Sequence, residues 1–455
     1  MATFEHIIIG TGQAGVPLAL RIAQQGETVG IIEKGNLGGT CVNTGCTPTK
    51  AYIASARRAW IARHSDELGL DLTGEVKVDF RKIKERKDQL VNESRENIEE
   101  QFNRSENISL IRGAAEFIGS HQVSVNGKTY TADKIYINTG ARPRIPSGYE
   151  DVDWLTNESI LQLESLPDHL IIIGGGYVAL EFGQMFHRFG SRVTLVVRGN
   201  RLISKEDSYI SNAIFKILEE EGLGIWLNSE VTEARQEKND VHLKINRNGE
   251  RKSLKGSHLL LATGRQPNTD HLSLEEAGIV CDDDGYIEVD DALVTRLPHV
   301  RALGDCNGKG AFTHTSYNDF QIVDSHLFGD KKRFVSDRIP TYAIFTDPAL
   351  ARVGMNEQEI QAKNIPAKVA EMPMRNIARA KEKGETKGIL KIFIHSVHKT
   401  ILGATFLGTG ADEYIHTLTD MMYSNTTFDK MRDAVHIHPT ISELLPTMLE
   451  NLKDL

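Results

Sequence analysis

Two cysteines lie five residues apart in the segment Gly38-Gly39-Thr40-Cys41-Val42-Asn43-Thr44-Gly45-Cys46-Thr47-Pro48-Thr49-Lys50. The chain has 4 cysteines in 455 residues, too few for a fold held together by disulfides. A close pair in such a chain favours a redox couple. Two buried free thiols and two zinc ligands are the alternatives, and zinc is disfavoured because no second Cys/His pair lies at zinc-finger spacing.

The spacing of the two cysteines constrains the backbone between them. On a regular helix, residues five apart have Cα atoms roughly 8–9 Å from each other, whereas a disulfide requires about 7 Å or less. If Cys41 and Cys46 bond, the intervening backbone is therefore irregular, and Gly45 relaxes the steric limits on such a bend. Pro48 is compatible with a helix only near its start. A helix N-terminus at this point would lower the pKa of a thiol.

A dinucleotide-binding unit precedes the cysteines. The apolar run 6–9 predicts a strand, and the glycines of the GxGxxG turn that follows are Gly10, Gly12 and Gly15. These glycines allow the backbone to approach a pyrophosphate at a helix N-terminus. Glu33 ends the next predicted strand, where a carboxylate binds a ribose hydroxyl. The whole pattern is much more specific than the glycines alone.

A second unit of the same kind begins with the apolar run 170–173. Its turn places Gly174, Gly176 and Ala179 at the three key positions, and alanine is permitted at the third. Two such units predict two dinucleotides. A redox pair beside the first unit makes FAD its expected ligand, which leaves the nicotinamide nucleotide for the second.

Arg198 occupies in the second unit the position that Glu33 occupies in the first. A carboxylate there would accept the 2′-hydroxyl of NADH, whereas an arginine suits a 2′-phosphate by charge and geometry. Arg201 is a second candidate for that phosphate. We therefore expect NADPH, with NADH as the alternative if Arg198 is only a solvated loop charge.

Four further motifs recur in a single order along the chain: Thr139-Gly140-Ala141-Arg142-Pro143, Ala262-Thr263-Gly264-Arg265-Gln266-Pro267-Asn268, Ala302-Leu303-Gly304-Asp305 and His438-Pro439-Thr440-Ile441-Ser442-Glu443. With the cysteine segment, they make the whole chain resemble the class I pyridine-nucleotide disulfide oxidoreductases. This family includes dihydrolipoamide dehydrogenase, glutathione reductase and mercuric reductase. Residues 45–50 and 312–317 are most similar to a mercuric-reductase-like branch, which also contains flavoproteins of reactive-chlorine resistance.

The resemblance implies an α/β fold with two Rossmann-like dinucleotide-binding domains, for FAD and NAD(P), and a C-terminal α+β dimerisation domain. The expected boundaries are 1–147 for the FAD-binding domain and 148–272 for the NAD(P)-binding domain. Residues 273–335 would form a central region that completes the FAD domain. Residues 336–455 would form the dimerisation domain of a homodimer.

The resemblance also implies the catalytic roles. Cys41 and Cys46 would cycle between disulfide and dithiol, with Cys46 facing the flavin and Cys41 meeting the substrate. Lys50 and Glu181 would pair near the flavin. His438 would exchange protons with Cys41, as a histidine can near neutral pH.

Glu443 would orient His438 in the way that a carboxylate orients the base of a triad. In the family this dyad comes from the partner subunit. Tyr177 would cover the nicotinamide site and move aside for the nucleotide. The remaining residues that the resemblance assigns to cofactor binding are Thr40, Lys50, Thr139, Gly140, Gly264 and Asp305.

The resulting prediction is an NADPH-dependent flavoprotein that passes electrons through Cys41 and Cys46 to a thiol-reactive acceptor, with Hg(II) favoured because soft thiolates suit such ions. The sequence lacks the C-terminal cysteine pair and the N-terminal metal-binding module of a full mercuric reductase. A reductase of glutathione or lipoamide-type disulfides is therefore the first alternative. The second is a flavoprotein redox sensor without turnover.

Composition bounds the remaining possibilities. Hydrophobic content of 40% and charged content of 25% are ordinary for a globular enzyme. A net charge of −9 disfavours nucleic acid and anionic membranes as partners. The sequence shows neither a transmembrane-length apolar run nor a signal peptide, so we expect a cytoplasmic protein. It predicts no resident metal site.

Overall fold

The structure is a computed structural model that describes residues 2–72 and 74–455. Its first part contains a mainly parallel sheet with strand order β3-β2-β1-β6-β5-β4. Ile7, Ile8 and Ile9 of β1 are buried, as expected for an apolar strand covered on both faces. The elements of this part are β1 (Ala2–Ile9), α1 (Gly15–Gln24), β2 (Val29–Glu33), α2 (Gly39–Asn43), α3 (Cys46–Arg63), α4 (Phe80–Asn103), β3 (Ile108–Arg112), β4 (Ala115–Gly119), β5 (Gln122–Val125), β6 (Lys128–Ile137) and β7 (Ala141–Pro143).

The second part repeats the strand–turn–helix arrangement. Its parallel sheet has the order β11-β10-β9-β15-β8, and an antiparallel sheet β12-β13-β14 accompanies it. A short antiparallel pair between β16 and β7 joins this part to the first. The elements are β8 (Trp154–Leu155), β9 (His169–Ile173), α5 (Tyr177–Phe189), β10 (Arg192–Val196), α6 (Ser208–Glu220), β11 (Gly224–Trp226), β12 (Ser229–Glu237), β13 (Asp240–Arg247), β14 (Glu250–Gly256), β15 (His258–Leu261) and β16 (Arg265–Pro267).

The chain then returns to the first sheet before it enters the last part. The returning elements are α7 (Leu274–Ala277), β17 (Val300–Ala302) and α8 (Thr313–Phe328). Strand β17 pairs in parallel with β6, which completes the first sheet from a distant region of sequence.

The last part is built on a sheet with the order β18-β19-β22-β21-β20-β23. Its strand pairs are antiparallel, and helices pack beside them, which is an α+β arrangement. The predicted fold class is confirmed by the two kinds of sheet. The elements are β18 (Thr341–Ile344), β19 (Ala349–Gly354), α9 (Glu357–Ala362), β20 (Ala367–Pro373), α10 (Ala378–Glu382), β21 (Ile389–His395), β22 (Ile401–Gly408), α11 (Ala411–Tyr423), α12 (Phe428–Arg432), α13 (Leu444–Leu449) and β23 (Lys453–Asp454).

One hydrophobic core connects the helices that carry the predicted site. Tyr52 of α3 packs edge-on against Phe189 of α5, with ring centroids 6.0 Å apart. Leu350 of β19 and Leu407 of β22 belong to the same core, so the last part of the chain packs against both helices. Across residues 2–72 and 74–455, each helix is too short or too polar to cross a lipid bilayer.

Candidate active site

The two cysteines lie on either side of a break between two helices. Cys41 belongs to α2, and Cys46 is the first residue of α3. Gly45, which immediately precedes Cys46, has φ −125° and ψ −114°. The backbone between the two cysteines is therefore irregular, as a disulfide at this spacing requires. Both cysteines are free thiols, and each affects the acidity of the other. The redox disulfide between them stays a prediction.

The environment of the pair gives its two thiols opposite acidities. The hydrogen bond from Cys41 lowers the pKa of Cys46 to about 6, and Thr313 and the charge of Lys50 act in the same direction. The same shared proton, together with burial, raises the pKa of Cys41. Of the two thiols, Cys46 is therefore the more acidic. Thr313 Oγ1 lies 3.0 Å from Cys46 Sγ.

Lys50 and Glu181 form an ion pair beside the thiols. Lys50 lies one turn beyond Cys46 on α3, and its Nζ donates to Glu181 Oε2 at 2.8 Å. Glu181 is 4% exposed and belongs to α5. Its second oxygen, Oε1, accepts a hydrogen bond from the backbone nitrogen of Phe345 at 2.9 Å. The pair therefore joins three segments that are far apart in sequence.

The first glycine turn packs directly against the cysteine segment. Thr11 donates its backbone N–H to Glu33 Oε2 at 3.0 Å, and its hydroxyl accepts from Gly38 N at 3.1 Å. A Cβ on Gly39, which has φ +59°, would lie 2.9 Å from the Cα of Gly12. Only glycine permits this approach. The first glycine turn and the cysteine segment are therefore in direct backbone contact.

A cleft of about 1180 Å³ runs from this turn to the cysteines. Its volume exceeds the range of about 300–1,000 Å³ that is usual for small-ligand pockets, as an extended dinucleotide requires. Gly15 lies behind the turn, where its N–H donates to Asn138 Oδ1 at 2.9 Å. Besides the cysteines and the Lys50–Glu181 pair, the predicted site residues that line the cleft are Gly10, Gly12, Glu33, Thr40, Thr139, Gly140, Tyr177 and Asp305.

The polar groups of this cleft fit FAD. In the part of the chain that the structure describes, Thr139 Oγ1 and Arg265 Nε are buried without a hydrogen-bond partner. Burial raises the pKa of Asp305, and Arg265 NH2 lies 3.3 Å from its Oδ2. A cofactor with hydroxyl and phosphate oxygens offers partners for such groups. Asp305 and Arg265 would hold such a cofactor through these polar groups.

The second glycine turn lies outside the cleft at the start of α5. A Cβ on Gly174 would lie 2.3 Å from the backbone oxygen of Ala262, which explains the requirement for glycine there. A Cβ on Gly176 would meet nothing within 4 Å, so that side of the turn is open. Ala179 is buried in α5, and Gly264 has open space where a Cβ would stand.

The two arginines predicted to select NADPH lie in the loop after β10. Arg198 is exposed. Arg201 donates to the backbone oxygen of Ser204 at 2.7 Å. Tyr177 directly follows the second glycine turn, and it also lines the cleft that contains the two cysteines.

The predicted His438–Glu443 dyad is present, and it lies apart from the cleft of its own subunit. His438 Nδ1 is 3.0 Å from both Glu443 oxygens. The His438 side chain is 76% exposed, and neither residue lines the cleft that contains Cys41. Val435 and Ile437 beside it are also exposed. This surface is therefore available to a second copy of the chain.

The zinc alternative for the two cysteines lacks further ligands. Among residues 2–72 and 74–455, no group of three or more His, Cys, Asp or Glu side chains is arranged to hold a metal ion. A structural zinc site needs four such ligands. Cys46 Sγ instead lies 3.0 Å from the hydroxyl oxygen of Thr313.

Comparison with known proteins gives matches along nearly the whole chain. Residues 4–319 match the model of the pyridine nucleotide-disulphide oxidoreductase family, and residues 340–449 match the model of its dimerisation domain. The chain is 34% identical to the probable pyridine nucleotide-disulfide oxidoreductase RclA of Escherichia coli (strain K12), with 100% of both chains covered. It is 32% identical to a mercuric reductase of Staphylococcus aureus, over 97% of this chain and 81% of the relative.

A third relative is a dihydrolipoyl dehydrogenase of Chlamydia muridarum, 31% identical over 97% of this chain and 95% of the relative. Among solved structures, the HOCl-induced flavoprotein disulfide reductase RclA from Escherichia coli superimposes with a TM-score of 0.89 at 33% identity, covering 98% of this chain and 99% of that one. The chain belongs to the pyridine nucleotide-disulphide oxidoreductase family, whose members are NAD(P)H-dependent flavoproteins.

Proposed function

We propose that this flavoprotein reduces a thiol-reactive metal ion, such as Hg(II) or Cu(II), with electrons that pass from NADPH through the Cys41–Cys46 pair. The observation that supports this most is the pair of free thiols, Cys41 and Cys46, in the wall of an FAD-sized cleft beside the Lys50–Glu181 ion pair. Soft thiolates bind such ions well. Two relatives add support, since one is a mercuric reductase and another was solved as a Cu(II) complex.

The proposed cycle balances in thiols, electrons and protons. Oxidation of the dithiol to a disulfide releases two electrons and two protons, which suffices for one Hg(II) to become Hg(0) or for two Cu(II) to become Cu(I). NADPH and one proton return the disulfide to the dithiol. Bound FAD supplies the two-electron transfer between the nicotinamide and the disulfide. The protein's task is to orient these groups and to control the protons.

Each residue near the pair has a proposed part in that task. Cys41 meets the acceptor, and Cys46 stays the thiolate on the cofactor side. Lys50, anchored by Glu181, stabilises that negative charge. Tyr177 covers the nicotinamide site at the boundary between the second glycine turn and the cleft.

The proton-handling dyad is proposed to act across a homodimer. A dimerisation domain is present, and His438 is exposed in its own subunit. Glu443 holds the imidazole through Nδ1, which leaves Nε2 free to face a neighbouring thiol. The exposed Val435 and Ile437 give this surface the apolar area that a second subunit would bury.

The acceptor is tested by steady-state NADPH oxidation under anaerobic conditions with Hg(II), Cu(II), oxidised glutathione or lipoamide. We expect many turnovers per flavin with at least one metal ion and little turnover with the two disulfides. Turnover with a disulfide alone would assign the protein to the disulfide reductases. NADPH consumption that never exceeds one equivalent per flavin would instead indicate a redox sensor.

We expect an Arg198→Glu variant to reverse a preference for NADPH over NADH. Arg198 is exposed at the end of the second ribose-binding strand, where a 2′-phosphate would lie. A charged hydrogen bond contributes about 1.5–3 kcal/mol, so kcat/KM for NADPH should fall roughly 10- to 100-fold. Arg192→Glu, on the exposed start of β10, is the matched control and should leave the preference unchanged. If Arg198→Glu also leaves it unchanged, Arg198 does not bind the phosphate.

A further inference from the structure

One face of α5 forms hydrogen bonds with a segment of the predicted dimerisation domain. Glu181, Gln184 and Arg188 are spaced three and four residues apart, so they lie on the same side of the helix. All three are buried. The segment that they contact is Phe345–Asp347, which connects β18 to β19.

Gln184 makes the central contact with both sides of its amide. Its Oε1 accepts from the backbone nitrogen of Asp347 at 2.8 Å, and its Nε2 donates to the backbone oxygen of Asp347 at 2.8 Å. Arg188 donates to Asp347 Oδ2 at 2.6 Å and to Glu221 Oε1 at 2.8 Å. A buried amide that pairs with a backbone in both directions fixes the position of that backbone.

Phe345, two residues before Asp347, touches both members of the ion pair beside the thiols. Its backbone N–H donates to Glu181 Oε1 at 2.9 Å. Its ring centroid lies 4.5 Å from Lys50 Nζ, a distance suited to a cation–π contact. The position of the segment Phe345–Asp347 therefore influences the position of the Lys50 ammonium group.

We propose that Gln184 is a positioning residue of the redox centre: by holding Phe345–Asp347 against α5, it keeps Lys50 beside the Cys46 thiolate. This inference rests on the proposed function of the two cysteines. It makes the dimerisation domain a determinant of thiol reactivity within the same subunit. Gln184 itself does not touch the thiols, and it acts only through Phe345 and the ion pair.

The groups that face Cys46 and influence the pKa of its thiol come from four helices. They are Cys41 from α2, Lys50 from α3, Glu181 and Tyr177 from α5, and the Thr313 hydroxyl from α8. Lys50 is the cation of this set, so its withdrawal would favour the protonated thiol.

The test is the pH dependence of alkylation of Cys46 by iodoacetamide. It is measured by peptide mass spectrometry on the FAD-loaded, full-length protein in a Cys41→Ser background. In a Gln184→Met variant, which keeps side-chain volume but loses the amide's hydrogen bonds to Asp347 and Glu221, the midpoint should rise by about 0.5–1 pH unit. Below the midpoint this corresponds to roughly 3- to 10-fold slower alkylation. An unchanged midpoint overturns the proposal.

Asp207→Asn is the matched control. The Asp207 carboxylate accepts from the backbone nitrogens of Glu357 and Gln358 at 3.1 and 3.2 Å, so it joins the same two domains at a different place. This variant should leave the midpoint unchanged, and an equal shift would mean that general loosening of the interface is responsible, which overturns the proposal. If Gln184→Met does not fold, Gln184→Asn, whose shorter amide cannot reach both Asp347 atoms, is tested by the same criterion.

Alkylation requires neither NADPH nor an acceptor, so the two proposals fail separately. A shifted midpoint in a protein that reduces no acceptor supports the positioning role and rejects the metal-reductase function. Normal acceptor turnover with an unshifted midpoint rejects the positioning role alone.

Discussion

Cys41→Ser and Cys46→Ser variants should each retain FAD and lose acceptor turnover by about 10³-fold or more, because neither variant can form the proposed disulfide. Oxidation of the dithiol requires both sulfurs, so neither can be replaced without preventing the proposed disulfide. The measurement is anaerobic NADPH oxidation with the acceptor that the wild-type protein uses, and flavin content is measured from absorbance.

The matched control is one of the other two cysteines, Cys281. Cys306 is fully buried, and Cys281 lies away from the cleft that contains the pair. Cys281→Ser should leave turnover unchanged. Wild-type rates in both Cys41→Ser and Cys46→Ser would show that electrons reach the acceptor without the thiols, and the proposed mechanism would then be abandoned.

The second large effect concerns His438. We expect His438→Ala to lower turnover by about 10²- to 10⁴-fold, the usual contribution of general acid–base catalysis. His436→Ala is the matched control, because His436 lies in the same segment and its ring hydrogen-bonds to the backbone oxygen of Ala434. Turnover is measured at saturating acceptor, so that the effect appears in kcat.

Mixed dimers separate a dyad that acts across the interface from one that acts within its own subunit. A dimer that joins a Cys41→Ser subunit to a His438→Ala subunit contains one site with an intact Cys41 and the partner's intact histidine. It should recover about half of the wild-type activity if the dyad crosses the interface. Differently tagged subunits purified in tandem provide such dimers. No recovery would place the dyad's action inside its own subunit.

The local chemistry of the chain was readable from short segments. The two glycine turns, the acid at Glu33 and the Cys41–Cys46 spacing each depend on a few neighbouring residues, because turn geometry and strand–helix alternation are local properties. The family and the fold class followed from these patterns and are confirmed by the comparisons. The domain boundaries and the roles of individual site residues stay predictions.

Other contacts of the site escaped the sequence analysis because their partners are distant in the chain. Asn138 links the first glycine turn to the backbone oxygen of Leu303, and nothing in its sequence neighbourhood indicates this. Thr313 lies within the segment 312–317, which resembles the mercuric-reductase-like branch, yet its contact with Cys46 spans 267 residues. Gln184 reaches across 163 residues to Asp347.

The order of residues alone was sufficient to indicate two nucleotide-binding units and a pair of reactive cysteines, since each depends on backbone conformations that neighbouring side chains impose. Which of the two thiols is the more acidic is decided only in the folded chain. The acidity of Cys46 depends on a proton from Cys41, a hydroxyl from α8 and an ammonium anchored by α5. Electrostatic effects of this kind act over a few ångströms, and only the folded chain brings those groups within that distance.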